Sequence, residues 1–395
     1  MLGHLCLKFR VDCYMKIGID IRLIGKNRTG DENVVFNLVK KFAQINTTHE
    51  FKLFTDVTDG EKIKVIANSI GIDGNDKFEI ISLETKNRFA WNFWTLPLYL
   101  RKNPVDVYHT QYITPFFVPH TVKILTIVHD ISFNFFPQFM KFSDLFFLKT
   151  LIPLSLRRAD KIMGVSKFTQ DEIMRYYDID SEKVEFMHNS IGEEFLKKEI
   201  SKDELEAVRE KYKLPEKFIL YLGTLQPRKN IAQLVEAFAR TIKENGAENL
   251  KLVICGNRGS HNYDKRIDEQ IIKNEVADSV FFPGFIDEED KVAVFRLAHV
   301  FAFPSLYEGF GIPPLEAMSQ DVPVLCSNIP SLKEIAADGA LFFDLRSIDD
   351  FSKKLYDISM NNDLRNELIR SGKTRINSFS WENSARKMLA TYENM

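Results

Sequence analysis

FPSLYEGFGIPPLEAM, residues 303–318, decides how the rest of the chain is read. It leaves a predicted buried strand at Phe303 and Pro304 and enters a helix near Pro313 and Pro314. Proline suits a first helical turn, where its missing N–H is not needed. The free amides and the dipole at such a helix start favour a phosphate. Gly309 and Gly311 let the backbone come close to a ligand. Glu308 stands before the glycines and Glu316 inside the helix, with seven residues between them. Carboxylates so placed can accept hydrogen bonds from hydroxyls at two ends of one ligand, with the phosphate held between them by neutral amides.

Three upstream stretches end or follow strands and are read as facing the same cleft. FILYLGTLQPRKN, residues 218–230, is a buried strand running through Gly223 and Thr224 into a loop with Arg228 and Lys229. A guanidinium fork beside a compact ammonium can clamp a diphosphate. LTIVHDISFNFF, residues 125–136, ends another strand at His129 and Asp130. RTGDENV, residues 28–34, follows the first strand and offers Gly30 and Asp31 at a helix start. A strand ending at His109, Gln111 and Tyr112 points to the same cleft, and GVSK at 164–167 supplies Ser166 as a cap and Lys167 as a further cation.

Around these loops, strands and helices alternate. KIGIDI (16–21) reads as the first buried strand, and a helix spans 33–44 from the spacing of Val34, Val35, Leu38, Val39 and Phe42. The rhythm restarts at strand 218–222, after a charged connection over 193–216. A βαβ rhythm in each half predicts an α/β chain of two Rossmann-like, doubly wound parallel sheets whose strand ends face a cleft. The domains are expected over 1–198 and 199–380, with a last helix in 381–395 crossing back to the first.

Composition narrows the function. A formal net charge of -2 over 395 residues gives no pull toward nucleic acid. No apolar run reaches membrane-spanning length. The four cysteines, Cys6, Cys13, Cys255 and Cys326, lack metal-ligand spacing and read as core residues, as do most of the 33 phenylalanines. The one DxD, Asp178–Asp180, sits in a turn and is not read as a metal site. Met15 precedes the first strand directly and reads as the natural start, with a cytoplasmic location as the default. No GxGxxG follows a strand and GKNRTGDE lacks the GK[ST] ending, which disfavours an NAD enzyme and a P-loop NTPase. Helix 142–158 is amphipathic. It reads as core-packed, the alternative being peripheral contact with an inner membrane face carrying a lipid-linked acceptor.

The 303–318 stretch resembles the E-x7-E signature of the retaining GT-B glycosyltransferases of family 4 (group 1), and the 218–230 loop and the HD turn resemble that family's counterparts. The resemblance implies a hexosyltransferase using a GDP- or UDP-linked sugar donor and a glycan or lipid-linked acceptor. It needs no metal or other cofactor. By match, Glu308 lies by the donor sugar and Glu316 binds the ribose. The backbone of Gly309, Phe310 and Gly311 meets sugar hydroxyls, and Ile312 and Leu315 lie nearest the pyrophosphate. His129 lies under the sugar. With Glu308, Arg228 and Lys229 it forms the catalytic group, while Gly223 and Thr224 line the donor side. Gly30, Asp31, His109 and Asp130 fall on the acceptor side. Two departures stand out: Thr224 replaces the usual Arg after the glycine, and the first loop has a single glycine. Mannose transfer in polysaccharide synthesis is the first expectation. A non-catalytic scaffold, or an epimerase or phosphorylase on the same fold, is the alternative.

Overall fold

The computed structural model describes residues 14–25, 30–45, 48–197, 199–244, 246–260 and 262–395. The expected start at Met15 turns on the preceding segment, most of which lies outside the described residues together with Cys6, Cys13, Arg28 and Thr29.

Seven strands form the first sheet: β1 (Lys16–Asp20), β2 (Glu50–Thr55), β3 (Phe78–Ser82), β4 (Val107–Gln111), β5 (Lys123–Val128), β6 (Lys161–Gly164) and β7 (Val184–Phe186). Their order is β3-β2-β1-β4-β5-β6-β7, all pairs parallel. The second sheet holds β8 (Phe218–Leu222), β9 (Lys251–Cys255), β10 (Val280–Gly284), β11 (Val300–Phe303), β12 (Val324–Ser327) and β13 (Ala340–Phe343). Its order is β10-β9-β8-β11-β12-β13, again all parallel. The interior strands are apolar through their length, as sheets covered on both faces require. In each sheet the order reverses beside the first strand, between β1 and β4 and between β8 and β11. The loops leaving a reversal part to opposite faces and open a crevice. Every stretch singled out for chemistry except the Gly164–Lys167 turn leaves a strand at one of these two reversals or at the neighbouring β5.

Helix boundaries shift by a few residues where caps decide them. The first helix begins at Gly30, three residues before the expected start at Asn33, because Asp31 and Glu32 fill its first turn. The segment Arg88–Lys102 is helical throughout, with a widened π turn at Trp91–Thr95. Helix Phe142–Arg158 differs from its core-packed reading. Ile152, Ser155 and Leu156 are buried, but Phe142 and Phe146 are 83% and 59% exposed. Cys255 and Cys326 are buried free thiols, the first pushed up to about 12 by burial.

The chain leaves the first domain near Glu193, whose carboxylate meets Lys41 Nζ at 2.5 Å, and Phe195 already packs on Phe295 of the second domain. The last helix, Trp381–Glu393, lies against the first domain. Ser384 Oγ donates to the His188 carbonyl at 2.5 Å, and Tyr392 OH lies 2.7 Å from His109 Nδ1.

Candidate active site

Glu308 follows β11 in a loop that lies on the first domain. It is 8% exposed, and its carboxylate meets Lys229 Nζ on one oxygen and Arg228 Nη1 at 3.6 Å on the other. Both cations come from the turn after β8, where Asn230 adopts a left-handed backbone to close Pro227–Lys229. Arg228 also donates to the Tyr307 carbonyl at 2.5 Å and stands 3.8 Å from Asp130 of the first domain. Burial opposes charge on all four groups, but for three of them attraction, joined at Asp130 by hydrogen bonds from Ser132, outweighs it. The balance holds the Glu308 and Asp130 carboxyls below, and the Arg228 guanidinium above, their ordinary values. Lys229 is the exception: burial, and then Arg228, depress its ammonium despite Glu308.

Helix Ile312–Ser319 begins beside this cluster. Gly311 precedes it with φ +94, a left-handed backbone that favours glycine, and an added Cβ would meet Leu332 at 2.6 Å. Pro313 and Pro314 bring no N–H, so the amides free at this helix start belong to Gly311 and Ile312. Leu315 is 1% exposed and its side chain belongs to the core. Phe310 packs edge-on against Phe379. Glu316 is buried in the same helix, and loss of solvation pushes its carboxyl up to about 7 despite the attraction of Lys291.

The first domain supplies the facing wall. His129 Nε2 lies 2.5 Å from Gln111 Oε1, and its Nδ1 stands 3.7 Å from the Asp31 carboxylate. With the Gln111 carbonyl accepting, Nε2 carries a hydrogen. A cavity of about 700 Å³ opens here, with Asp31, Gln111, Tyr112 and Asp130 in its wall. The two domains touch across it. The Gly309 carbonyl accepts from Ser166 Oγ at 2.5 Å and Thr169 Oγ1 at 3.0 Å. Ser166 also caps helix Lys167–Tyr177 through the Thr169 amide. Glu334 accepts the amides of Lys167 and Phe168, both at 2.8 Å, and faces His188 Nε2 at 2.9 Å.

Not every expected residue arrives here. His109 is 1% exposed and is not in the cavity wall. Burial holds its imidazole down to about 3, and its hydrogen-bond partner is Tyr392. Gly30 opens its helix, while the neighbouring Glu32 turns inward to accept the Gly25 amide at 2.9 Å. The Lys167 ammonium pairs with Asp171 on its own helix, so the residue serves the cleft through its backbone amide. Gly223 bonds to the Cys255 carbonyl, and the Thr224 carbonyl accepts from Tyr221 OH at 2.8 Å. Asp178 has a left-handed backbone at a helix end, and no metal-holding cluster of His, Cys, Asp or Glu occurs among the described residues.

Several cavity residues were not anticipated: Asp20, Arg22, Asp56, Arg88 and Asn92. Arg22 grips Asp20 through side-chain bonds of 2.9, 3.1 and 2.6 Å and lies 4.3 Å above the Trp91 ring. Charged residues ending the buried run KIGIDIR were the available signal.

Two parallel-sheet domains with this charged seam between them define a GT-B glycosyltransferase. The chain matches Glycosyltransferase Family 4 over residues 28–195 and Glycosyl transferases group 1 over residues 203–375. It belongs to that family of enzymes. It is 26% identical over 388 residues to the O-antigen chain mannosyltransferase B of Escherichia coli, covering 96% of this chain and 100% of that one. Over 228 residues it is 31% identical to the serotype-specific mannosyltransferase WbdA of E. coli, covering 58% of this chain and 28% of that protein. Anabaena HepE, crystallised with UDP and glucose, superposes with a TM-score of 0.73 at 15% identity, covering 96% of this chain and 100% of that one. No helix among the described residues is long and apolar enough to cross a membrane.

Proposed function

We propose that this enzyme transfers mannose, with retention of configuration, from a nucleotide-diphosphate donor to a glycan acceptor in the synthesis of a cell-surface polysaccharide. The observation that carries the reading is the convergence of Arg228 and Lys229 on Glu308 beside the start of helix Ile312–Ser319, opposite His129. Positive charge fixed in a dry site stabilises a leaving diphosphate without reorganising. In the proposed step the bond from sugar C1 to the phosphate oxygen breaks, and its electron pair stays on the diphosphate. The acceptor oxygen bonds C1 from the same face, and its proton passes to the departing phosphate. Glu308 and His129 orient the sugar and Glu316 the ribose. Two cations and a helix start supply the charge that a divalent metal would otherwise bring, so the reaction proceeds without one. The mannosyltransferase relatives favour mannose, and a UDP-bound neighbour supports a nucleotide donor.

A thermal-shift and sugar-release screen of GDP-mannose, UDP-glucose and UDP-N-acetylglucosamine, with and without EDTA, tests this. Stabilisation by GDP-mannose with EDTA-insensitive release is the expected result. No stabilisation by any of them, with Glu316→Ala behaving as the parent, would overturn the donor assignment.

A further inference from the structure

Tyr307 stands immediately before Glu308, in the loop between β11 and helix Ile312–Ser319, and is 9% exposed. Its ring packs on the other domain. It lies 5.5 Å from Phe135, stacked at an interplanar angle of 27°, 6.2 Å from Phe136 and 5.5 Å from Phe168. These three phenylalanines come from two separate places in the first domain. Phe135 ends the short helix Ser132–Phe135, which opens just after His129 and Asp130, and Phe168 lies in the first turn of helix Lys167–Tyr177. Aromatic rings at such separations attract beyond the apolar area they bury.

The socket they form is itself fixed. The Asp130 carboxylate accepts the Ser132 amide at 2.9 Å, and Asn134 donates to Tyr177 OH at 2.8 Å, which ties the short helix to the longer one. The backbone around Tyr307 is tied just as firmly to the cation loop of its own domain. The Leu306 amide donates to the Arg228 carbonyl at 2.9 Å, and Arg228 Nη1 donates to the Tyr307 carbonyl at 2.5 Å. On the far side of Glu308, the Gly309 carbonyl is held by Ser166 and by Thr169, the latter on the same helix as Phe168. Both chain neighbours of Glu308 are therefore anchored in the first domain, while its carboxylate stays on Arg228 and Lys229 of the second. The Tyr307 ring is one of these two anchors, and its carbonyl also aims the Arg228 guanidinium.

We propose that Tyr307 is a positioning residue for transfer: its ring, seated in the socket of Phe135, Phe136 and Phe168, sets Arg228 and Glu308 opposite His129 as the two domains meet, a role that rests on the reading of Arg228 and Glu308 as the transfer centre. The ring acts through two backbone links, the Tyr307 carbonyl that fixes the guanidinium and the peptide bond to Glu308. Leucine in its place keeps the position apolar but removes the ring contacts, so the loop loses its register on the first domain. The helix start at Ile312 and the Lys229 loop stay where they are. The loss then falls on the rate and not on donor binding.

Steady-state sugar release from GDP-mannose by the full chain, alongside titration with GDP, tests this. Tyr307→Leu is expected to lower kcat by about tenfold or more, because small misplacements of reacting groups are costly. Its KM for GDP-mannose and its affinity for GDP should stay within about threefold of the parent, which also shows that the variant folds. Tyr307→Phe keeps the ring and should return kcat to within about threefold of the parent. Phe168→Leu should slow the enzyme in the same way. Joined to Tyr307→Leu it should add little, since both changes remove one contact. A Tyr307→Leu variant as fast as the parent, a GDP affinity that falls in step with kcat, a Tyr307→Phe variant as slow as Tyr307→Leu, or losses that multiply in the double variant would each overturn the assignment of Tyr307 alone. An Arg228→Ala variant as fast as the parent, or a parent that binds GDP and releases no sugar, would strike the transfer-centre reading and this assignment with it.

Discussion

Gly309 lies so close to His129 that a Cβ built on it would stand 1.7 Å from the His129 carbonyl oxygen. Backbone from the second domain thus touches backbone from the first at the candidate site. Ser166 and Thr169 hold the Gly309 carbonyl from the other side. Gly309→Ala is therefore expected to prevent closure. A displacement of about 1 Å can cost on the order of 10²-fold in rate. Steady-state kinetics should show that loss in kcat, with diphosphate affinity changed by less than about threefold. An unchanged kcat would mean that the enzyme turns over in a more open form.

The Lys229–Glu308 pair is buried, with side chains 13% and 11% exposed. Removing one partner of such a pair leaves an uncompensated buried charge, at about 3–5 kcal/mol. Urea denaturation of Lys229→Met should show a loss of that order. Adding Glu308→Gln should recover part of it, because the stranded carboxylate is gone. A double variant as unstable as the sum of the singles would refute the coupling.

Glu316 gives a pH signature. Its folded carboxyl is pushed up to about 7 by burial, above its ordinary 4.5. A raised value means the folded state holds its proton longer than the unfolded chain. The associated stability is fully present below about pH 4.5, declines as pH rises, and is lost above about pH 7. At about 1.4 kcal/mol per pH unit, the change is of order 3 kcal/mol. Glu316→Gln should flatten this part of the profile, stabilise the ligand-free protein at pH 8 and weaken nucleotide binding. A parent protein whose stability does not fall between pH 5 and 7 relative to Glu316→Gln would refute the assignment.

Tyr392 and His109 join the last helix to the first sheet. Tyr392→Phe leaves His109 Nδ1 buried without that partner, at about 1–3 kcal/mol. Denaturation should register this loss, while the KM for the acceptor stays unchanged. A changed acceptor KM would place His109 in the cleft after all.

The meeting of Glu308 with Arg228 and Lys229 was legible because their chemistry and their place in the turns after β11 and β8 agreed. Asp20 and Arg22 were hidden by the apolar run that precedes them, which speaks for a strand and not for what its last residues do. His109 shows the limit of a strand-end argument. Gln111, on the same strand, lines the cavity, while His109 is covered by a helix more than 270 residues further along the chain. The stretch Arg88–Lys102 is rich in aromatics and holds Pro97, so it shows no clean helical period, yet it helps to wall the cavity. The elements after Ser327 went largely unread. Helices such as Asn362–Ile376 bury few residues, Leu368 and Gly372 among them, and leave a faint apolar pattern.

The central claim is that Arg228, Lys229 and Glu308 form a sugar-transfer centre acting with retention. The most direct measurement follows the anomeric proton by NMR as the enzyme consumes GDP-mannose in EDTA. The account predicts that the first sugar product keeps the α configuration of the donor, and that Arg228→Ala slows its appearance by about 10²-fold or more. A β product, or an Arg228→Ala variant as fast as the parent, would contradict it.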